Sequence, residues 1–249
     1  MNIENIIAER INKKIYRDGD KVIKLFNEDY SRADVLNEAL NHARAEETGL
    51  NIPELYEVTR IDGKWAIVME YIEGDNLADL IASNPAKYDE HMNLFVDIQL
   101  EIQSKRSPLL SQLRDKMNRK IGLTELDDTT KYELYTRLAS TPDHRKLCHG
   151  DYTPSNVIIR PDGTPYIIDW SHATQGNASA DAARTYLTFC LKGNIEGAEK
   201  YLDFFCTKSG TAKKYVQSWM PIVAASQSVK KNCKERDILL SWVNVVDYD

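Results

Sequence analysis

The sequence predicts an α+β protein of two lobes, a small β-rich one at the N-terminus and a larger, mostly helical one after it. Three observations lead there. Before about residue 75, Asp-Gly turns punctuate short β-prone runs; after Gly74, apolar residues recur at spacings of three and four; and one hairpin interrupts that helical stretch. The expected division is residues 1–72 and 73–249.

Residues 13–17 and 21–26 are β-prone runs joined by Asp18-Gly19-Asp20, a hairpin signal, and residues 54–60 and 64–71 repeat the arrangement around Asp62-Gly63. Between the hairpins Ser31 reads as a helix N-cap. Val35, Leu36, Ala39, Leu40 and Ala43 keep helical spacing until Gly49 stops the helix, and Pro53 begins the return to strand. Residues 76–83, 88–106 and 124–139 then read as helices, as do several segments after Ala180. Residues 156–160 and 166–170 form the interrupting hairpin around Pro161-Asp162-Gly163.

Of the 249 residues, 42% are apolar and 28% charged, the composition of an ordinary globular chain. The net charge of −6 argues against non-specific nucleic-acid binding, which rests on excess basic charge. The first residues, MNIENIIAERINKK, lack the basic start and apolar run of a secretory signal. The stretch from Tyr215 to Val229 is too short and too polar to span a membrane, which takes about 20 apolar residues. Cys148, Cys190, Cys206 and Cys233 have no metal-type spacing and read as reduced, mostly buried thiols of a cytoplasmic protein.

The chemistry concentrates in LCHGDYTPSNVIIRPDGTPYIIDW. His149, Gly150 and Asp151 are followed after five residues by Asn156 and after thirteen more by Asp169. A loop with an Asp and an Asn, followed by a hairpin ending in a second Asp, brings three oxygen groups near one point. Hard oxygen ligands suit Mg²⁺, and the remaining Asp can orient or accept the proton of an attacking hydroxyl. Phosphoryl transfer needs that combination.

The H-x-D-x-x-x-x-N spacing matches the kinase catalytic loop, and Ile168-Asp169-Trp170 stands where protein kinases have Asp-Phe-Gly. With Gly150 in the loop and Ile-Asp-Trp after the hairpin, the chain resembles the aminoglycoside phosphotransferase family of kinase-like, small-molecule phosphotransferases. The likeness continues through SHATQGNASADAARTYL, with Gly176, Asp181, Arg184 and Thr185. It implies a protein-kinase-like fold, with residues 1–72 binding nucleotide and residues 73–249 carrying catalysis and the acceptor. It also implies Mg²⁺-dependent transfer of the γ-phosphoryl group of ATP or GTP to a small-molecule hydroxyl. By the same resemblance Asp151 is the catalytic base and Asn156 and Asp169 hold the metal. Lys24 contacts the α- and β-phosphates with Glu38 as its partner, ahead of the rivals Glu46 and Glu47. Residues 68–72 are the hinge facing the base, with Glu70 and Ile72 as the contacts.

One part departs from the family pattern. Kinases cover the phosphates with a loop that is often glycine-rich, yet the only glycine before Lys24 is Gly19. Either the Gly19 turn covers the phosphates or residues 9–14 do so without glycine.

Other readings compete. His149 and His172 could serve a metal hydrolase, but bracing of the catalytic loop is the better role for His149. Asp181 reads as a cap or brace at a helix start. Trp219, Trp242, Tyr215 and Tyr248 could box a quaternary ammonium, as a choline- or ethanolamine-type kinase requires. A non-catalytic kinase-like binding module is the remaining alternative. From Trp170 onward there are 8 acidic and 10 basic residues, against 30 and 22 before it. The helical end thus lacks the acidic excess expected around a polycationic acceptor, which favours a small hydroxylated metabolite.

Overall fold

Short β-prone runs and amphipathic stretches alternate along the chain, and in the computed structural model, which describes residues 5–229 and 232–243, they form these elements in order. The first are strands β1 (Ile6–Arg10), β2 (Lys13–Asp18) and β3 (Lys21–Phe26), helix α1 (Arg32–Glu46), and strands β4 (Leu55–Ile61), β5 (Lys64–Glu70) and β6 (Asp75–Asn76). Helices α2 (Leu77–Ser83), α3 (Tyr88–Ser104), α4 (Leu113–Gly122) and α5 (Asp128–Ser140) follow. Strands β7 (Lys146–Cys148), β8 (Val157–Ile159), β9 (Pro165–Ile167) and β10 (Thr174–Gly176) come next. The chain continues with α6 (Ala178–Leu191), α7 (Ile195–Ser209), α8 (Lys213–Gln217), α9 (Met220–Ser228) and α10 (Cys233–Ser241).

Contacts divide the chain into two compact units. The first joins the residues up to Ser83 with Pro154–Ala173; the second joins Asn84–Thr153 with the chain from Thr174 on. A division at residues 1–72 and 73–249 follows chain order, which these units do not. The reason is hydrogen bonding: β6 pairs with β8, and the Ile167 N–H donates to the Asn51 carbonyl at 2.9 Å.

In the first unit the strands form an antiparallel sheet in the order β1-β2-β3-β5-β4. The expected order of hairpin, helix and hairpin is present, with β1 added at one edge. Strand β1 is mostly exposed, so its sequence carries no inward–outward alternation to mark it. Asp62 and Gly63 both have positive φ, 48° and 81°, as a two-residue hairpin turn matched to strand twist requires. Helix α1 packs Val35 and Ala39 against Phe26, Ile67 and Met69 of the sheet. Ser31 caps it, accepting from the Asp34 N–H.

The buried face of α1 differs from the apolar one expected. Leu36 and Leu40 are exposed, while Glu38, Asn41 and His42 are buried. Polar partners account for the exchange. Asn41 donates to the Ser171 carbonyl, the His42 ring meets the Pro53 carbonyl, and Glu38 takes lysines from the sheet.

The second unit is mainly helical. Phe95 of α3 stacks on Tyr152 at 4.3 Å between ring centroids, and the Tyr152 hydroxyl donates to the Phe95 carbonyl. The expected helices at 88–106 and 124–139 are α3 and α5; α4 and the β7–β10 pair were not expected. Those two strands have three residues each, too short for a periodic signal. Cys148 and Cys190 are buried thiols and Cys206 is half-buried; the Cys233 side chain lies outside the described residues. Among the described residues no helix is long and apolar enough to cross a membrane.

Candidate active site

Antiparallel register builds the lysine cluster of the first unit. Ile15 faces Lys24 and Lys13 faces Phe26 across the β2–β3 ladder, so Lys13, Ile15, Val22, Lys24 and Phe26 share the face that α1 covers. Lys24 Nζ donates to Glu38 Oε1 at 2.9 Å and lies 3.5 Å from Asp169 Oδ1. Lys13 Nζ donates to both Glu38 oxygens, at 2.8 and 3.0 Å, and lies 4.0 Å from Asp169 Oδ1. Two ammonium groups and two carboxylates therefore form one cluster.

Burial works against the charge on Lys24, but Asp169 and Glu38 outweigh it and raise its pKa above the ordinary lysine value. Burial likewise opposes the charge on Glu38, and Lys24 and Lys13 reverse that and hold its carboxyl below the usual glutamate range. Both groups are charged at neutral pH.

Asp169 has left-handed backbone angles, φ 62° and ψ 61°, which for a non-glycine residue cost on the order of 1–3 kcal/mol. Its neighbours hold it there. Trp170 is fully buried with Nε1 donating to the Ile167 carbonyl, and Asn41 ties Ser171 to α1. On the other strand of the hairpin, the Asn156 carbonyl accepts from the Ile168 N–H at 3.0 Å.

A cleft of about 540 Å³ opens beside this cluster. Lys13, Lys24, Asn156 and Asp169 are part of its polar lining; Ile15, Val22, Met69, Ile72, Ile158 and Ile168 are part of its apolar lining. Glu70, Tyr71 and Asp79 also border it. The Glu70 N–H donates to the Glu54 carbonyl and the Tyr71 N–H to the Asp20 carbonyl, so these donors are engaged in the protein backbone. The Asp20 contact puts the Gly19 turn beside Tyr71, whereas Arg10 and Lys13, at the ends of the β1–β2 turn, line the cleft that holds Lys24. Of the two segments considered for covering phosphates, residues 9–14 are therefore the ones beside the lysine cluster.

Asn156 and Asp169 fit Mg²⁺. They are neutral and anionic oxygen donors on one cleft, and the ion commonly takes one or two protein ligands and completes its shell with water and phosphate. Among the described residues no group of three or more His, Cys, Asp or Glu side chains could hold a metal.

Asp151 belongs to the second unit, and its loop is built there by α6. Asp181 accepts the backbone N–H groups of His149, at 3.2 Å, and Gly150, at 2.8 Å. Gly150 has φ +76°, which suits glycine. His149 is fully buried and its Nδ1 accepts the Asp151 N–H at 3.2 Å, a contact that uses the nitrogen lone pair a metal would take. Thr185 donates to the Tyr152 carbonyl, and Arg184 Nη2 donates to Asp151 Oδ1 at 3.1 Å. The α6 cap is Asn177, not Asp181; of the two roles expected for Asp181, bracing is the one that fits, and what it braces is the loop.

The first unit thus holds Lys24, Glu38, Glu70, Ile72, Asn156 and Asp169, while Asp151 lies in the second with Arg184 and Asp181. Sequence reasoning did not single out Lys13, although it lies two residues before Ile15, the partner of Lys24 in the ladder. The Arg184–Asp151 contact left no local sequence signal, since the two residues are 33 positions apart. Of the aromatics considered for a cation box, Trp219 is a core residue, Tyr215 accepts from Asn177, and Trp242 meets the Tyr186 ring edge-on. Tyr248 lies outside the described residues.

Known proteins share this architecture. A thermostable mutant of aminoglycoside phosphotransferase APH(4)-Ia, in ternary complex with AMP-PNP and hygromycin B, superposes with a TM-score of 0.70 at 16% identity, covering 95% of this chain and 88% of that one. Choline kinase LicA from Streptococcus pneumoniae gives 0.65 at 16% identity, covering 98% and 91%. At such identities the likeness is one of fold. In sequence, the chain is 30% identical over 171 residues to the KEOPS complex subunit Bud32 of Pyrococcus abyssi (strain GE5 / Orsay), a match that spans 69% of this chain and 56% of that protein. Residues 3–215 match the APH profile, and on that match the chain belongs to the phosphotransferase enzyme family.

Proposed function

We propose that the chain is a small-molecule kinase, transferring the γ-phosphoryl group of ATP or GTP to a hydroxyl with Asp151 as base. The observation that carries the reading is the Lys24–Glu38–Asp169 cluster on a cleft that Asn156 also lines. Lys24, held by Glu38, steadies the phosphates. Asn156 and Asp169 hold Mg²⁺, which when bound neutralises charge on the phosphate oxygens. The apolar lining receives the base, with residues 68–72 as the hinge. Asp151 orients the acceptor hydroxyl and takes its proton, its carboxylate aimed by Arg184 and its backbone by His149. Positioning and electrostatics supply most of the acceleration in such transfers. The fold neighbours with nucleotide, hygromycin B and choline in their names support a small-molecule acceptor.

Thermal unfolding with and without Mg²⁺ plus ATP or GTP tests the nucleotide site. Ligand at about 100 times its dissociation constant stabilises by roughly 2.7 kcal/mol, a shift of about 5–10 °C for a chain of this length. The shift should require metal and disappear in Asp169→Asn. A panel of choline, aminoglycosides and sugars then tests the acceptor. Asp151→Asn should cost roughly 10²–10⁴-fold in turnover while the nucleotide shift persists. Normal turnover by that variant would refute the assignment.

A further inference from the structure

The β1–β2 turn carries no glycine, and two of its carbonyls are tied to Asn27. The Asn12 carbonyl accepts from the Asn27 N–H at 3.0 Å, and the Ile11 carbonyl from Asn27 Nδ2 at 3.1 Å. Asn27 thus pins the turn, which does not have the pliant backbone of a glycine-rich phosphate cradle. Beside it stands Lys13, on the face of the sheet that carries Lys24.

Glu38 already has a counter-ion in Lys24. Lys13 adds a second ammonium to the same carboxylate, and with Asp169 the cluster holds two cations for two carboxylates. The Lys13 side chain is 14% exposed against 8% for Lys24, so it is the outer of the two. Lys13 lines the cleft and reaches within 4.0 Å of Asp169. Its flexible four-carbon stem allows the ammonium to turn from Glu38 to an arriving anion.

We infer that Lys13 is a specificity residue for the polyphosphate: its ammonium does the work that glycine-rich loops do with backbone amides, and it favours a triphosphate over shorter nucleotides. This rests on the nucleotide-site reading above. In that arrangement Lys13 turns to the phosphates while Glu38 retains Lys24.

The test is equilibrium binding of Mg²⁺-ATP and of AMP to the wild-type chain, Lys13→Met and Lys13→Arg. Lys13→Met should weaken ATP roughly 10–100-fold, the size of a lost charge-assisted contact, and change AMP less than about 3-fold. Lys13→Arg should recover most of the ATP affinity. Unchanged ATP binding in Lys13→Met overturns the inference and leaves the nucleotide site standing. Equal loss of ATP and AMP in Lys13→Met, with both recovered by Lys13→Arg, shows a structural lysine and also overturns it. If Lys13→Met does not fold, the ratio of ATP to AMP affinity in Lys13→Arg and wild type decides: no preference for ATP overturns the inference. A wild-type chain that binds neither nucleotide overturns the nucleotide-site reading and this inference together.

Discussion

Arg184 Nη2 lies 3.1 Å from Asp151 Oδ1, an ion pair across two elements of the second unit. Asp151 comes from the loop after β7 and Arg184 from α6. The Arg184 Nε is buried without a hydrogen-bond partner, so the guanidinium keeps a desolvated donor in order to present Nη2 to the carboxylate. This single charge-assisted contact fixes the position of Asp151 Oδ1.

With Asp151 as the proposed base, Arg184→Met is expected to lower kcat about 10-fold or more with little change in the KM for nucleotide, because small misplacements of a base are costly. Arg184→Lys should restore part of kcat. Steady-state kinetics on the three proteins check this, and an effect confined to nucleotide KM would contradict it.

Removing Glu38 leaves two ammonium groups with Asp169, at 3.5 and 4.0 Å, in place of their nearer counter-charge. Glu38→Ala should destabilise by about 3–5 kcal/mol, the usual cost of breaking a buried pair from one side. In a melting experiment that is a fall of roughly 6–20 °C.

The same cluster sets a pH dependence. Because the Glu38 carboxyl is held below its ordinary value of 4.5, the stability it contributes is present above that value and is lost as pH falls through the lowered pKa. Lys24 is raised above its ordinary value of 10.5, so its contribution is complete below 10.5 and is lost as pH rises through the raised pKa. Melting temperature against pH should show an acid limb from Glu38, and Glu38→Gln should flatten that limb.

Asp181 satisfies two buried backbone donors at once. Asp181→Ala should cost roughly 2–4 kcal/mol, from two unpaired N–H groups at about 1–3 kcal/mol each with partial relief by water. Turnover should fall because the Asp151 loop loses its brace, while the Mg²⁺-nucleotide shift persists in the first unit. Calorimetry with and without nucleotide separates the two effects.

Gly176 is required for close packing. A Cβ there would clash with Leu113 Cβ. Gly176→Ala should destabilise by about 1–3 kcal/mol through overpacking. Adding Leu113→Gly, which removes that Cβ, should relieve the clash, a coupling readable in a double-mutant cycle.

Strands β2 to β5 with their turns, the β8–β9 hairpin and most of the helices were legible because their signals are local. Asp62-Gly63 announces its turn, Ser31 its cap, and period-two or period-three-to-four spacing the element between them. Strand β1 and the β7–β10 pair were not legible, since one is exposed on both faces and the others have three residues per strand. Helix α4 has Leu113, Met117 and Ile121 at helical spacing, a signal thinned by the seven other residues of its ten.

For the proposed site, residue types and spacing within the 147–170 stretch point to Asp151, Asn156 and Asp169. Lys24 and Glu38 followed from the resemblance that stretch carries. Which partners those residues have was decided only in three dimensions. Ladder register put Lys13 beside Lys24, the rotation of α1 turned Glu38 rather than Leu36 or Leu40 inward, and α6 brought Asp181 and Arg184 onto the loop of Asp151. A pattern along the chain reports which face a residue occupies. Charge pairing between distant segments depends on how those faces meet, and only the folded chain sets that.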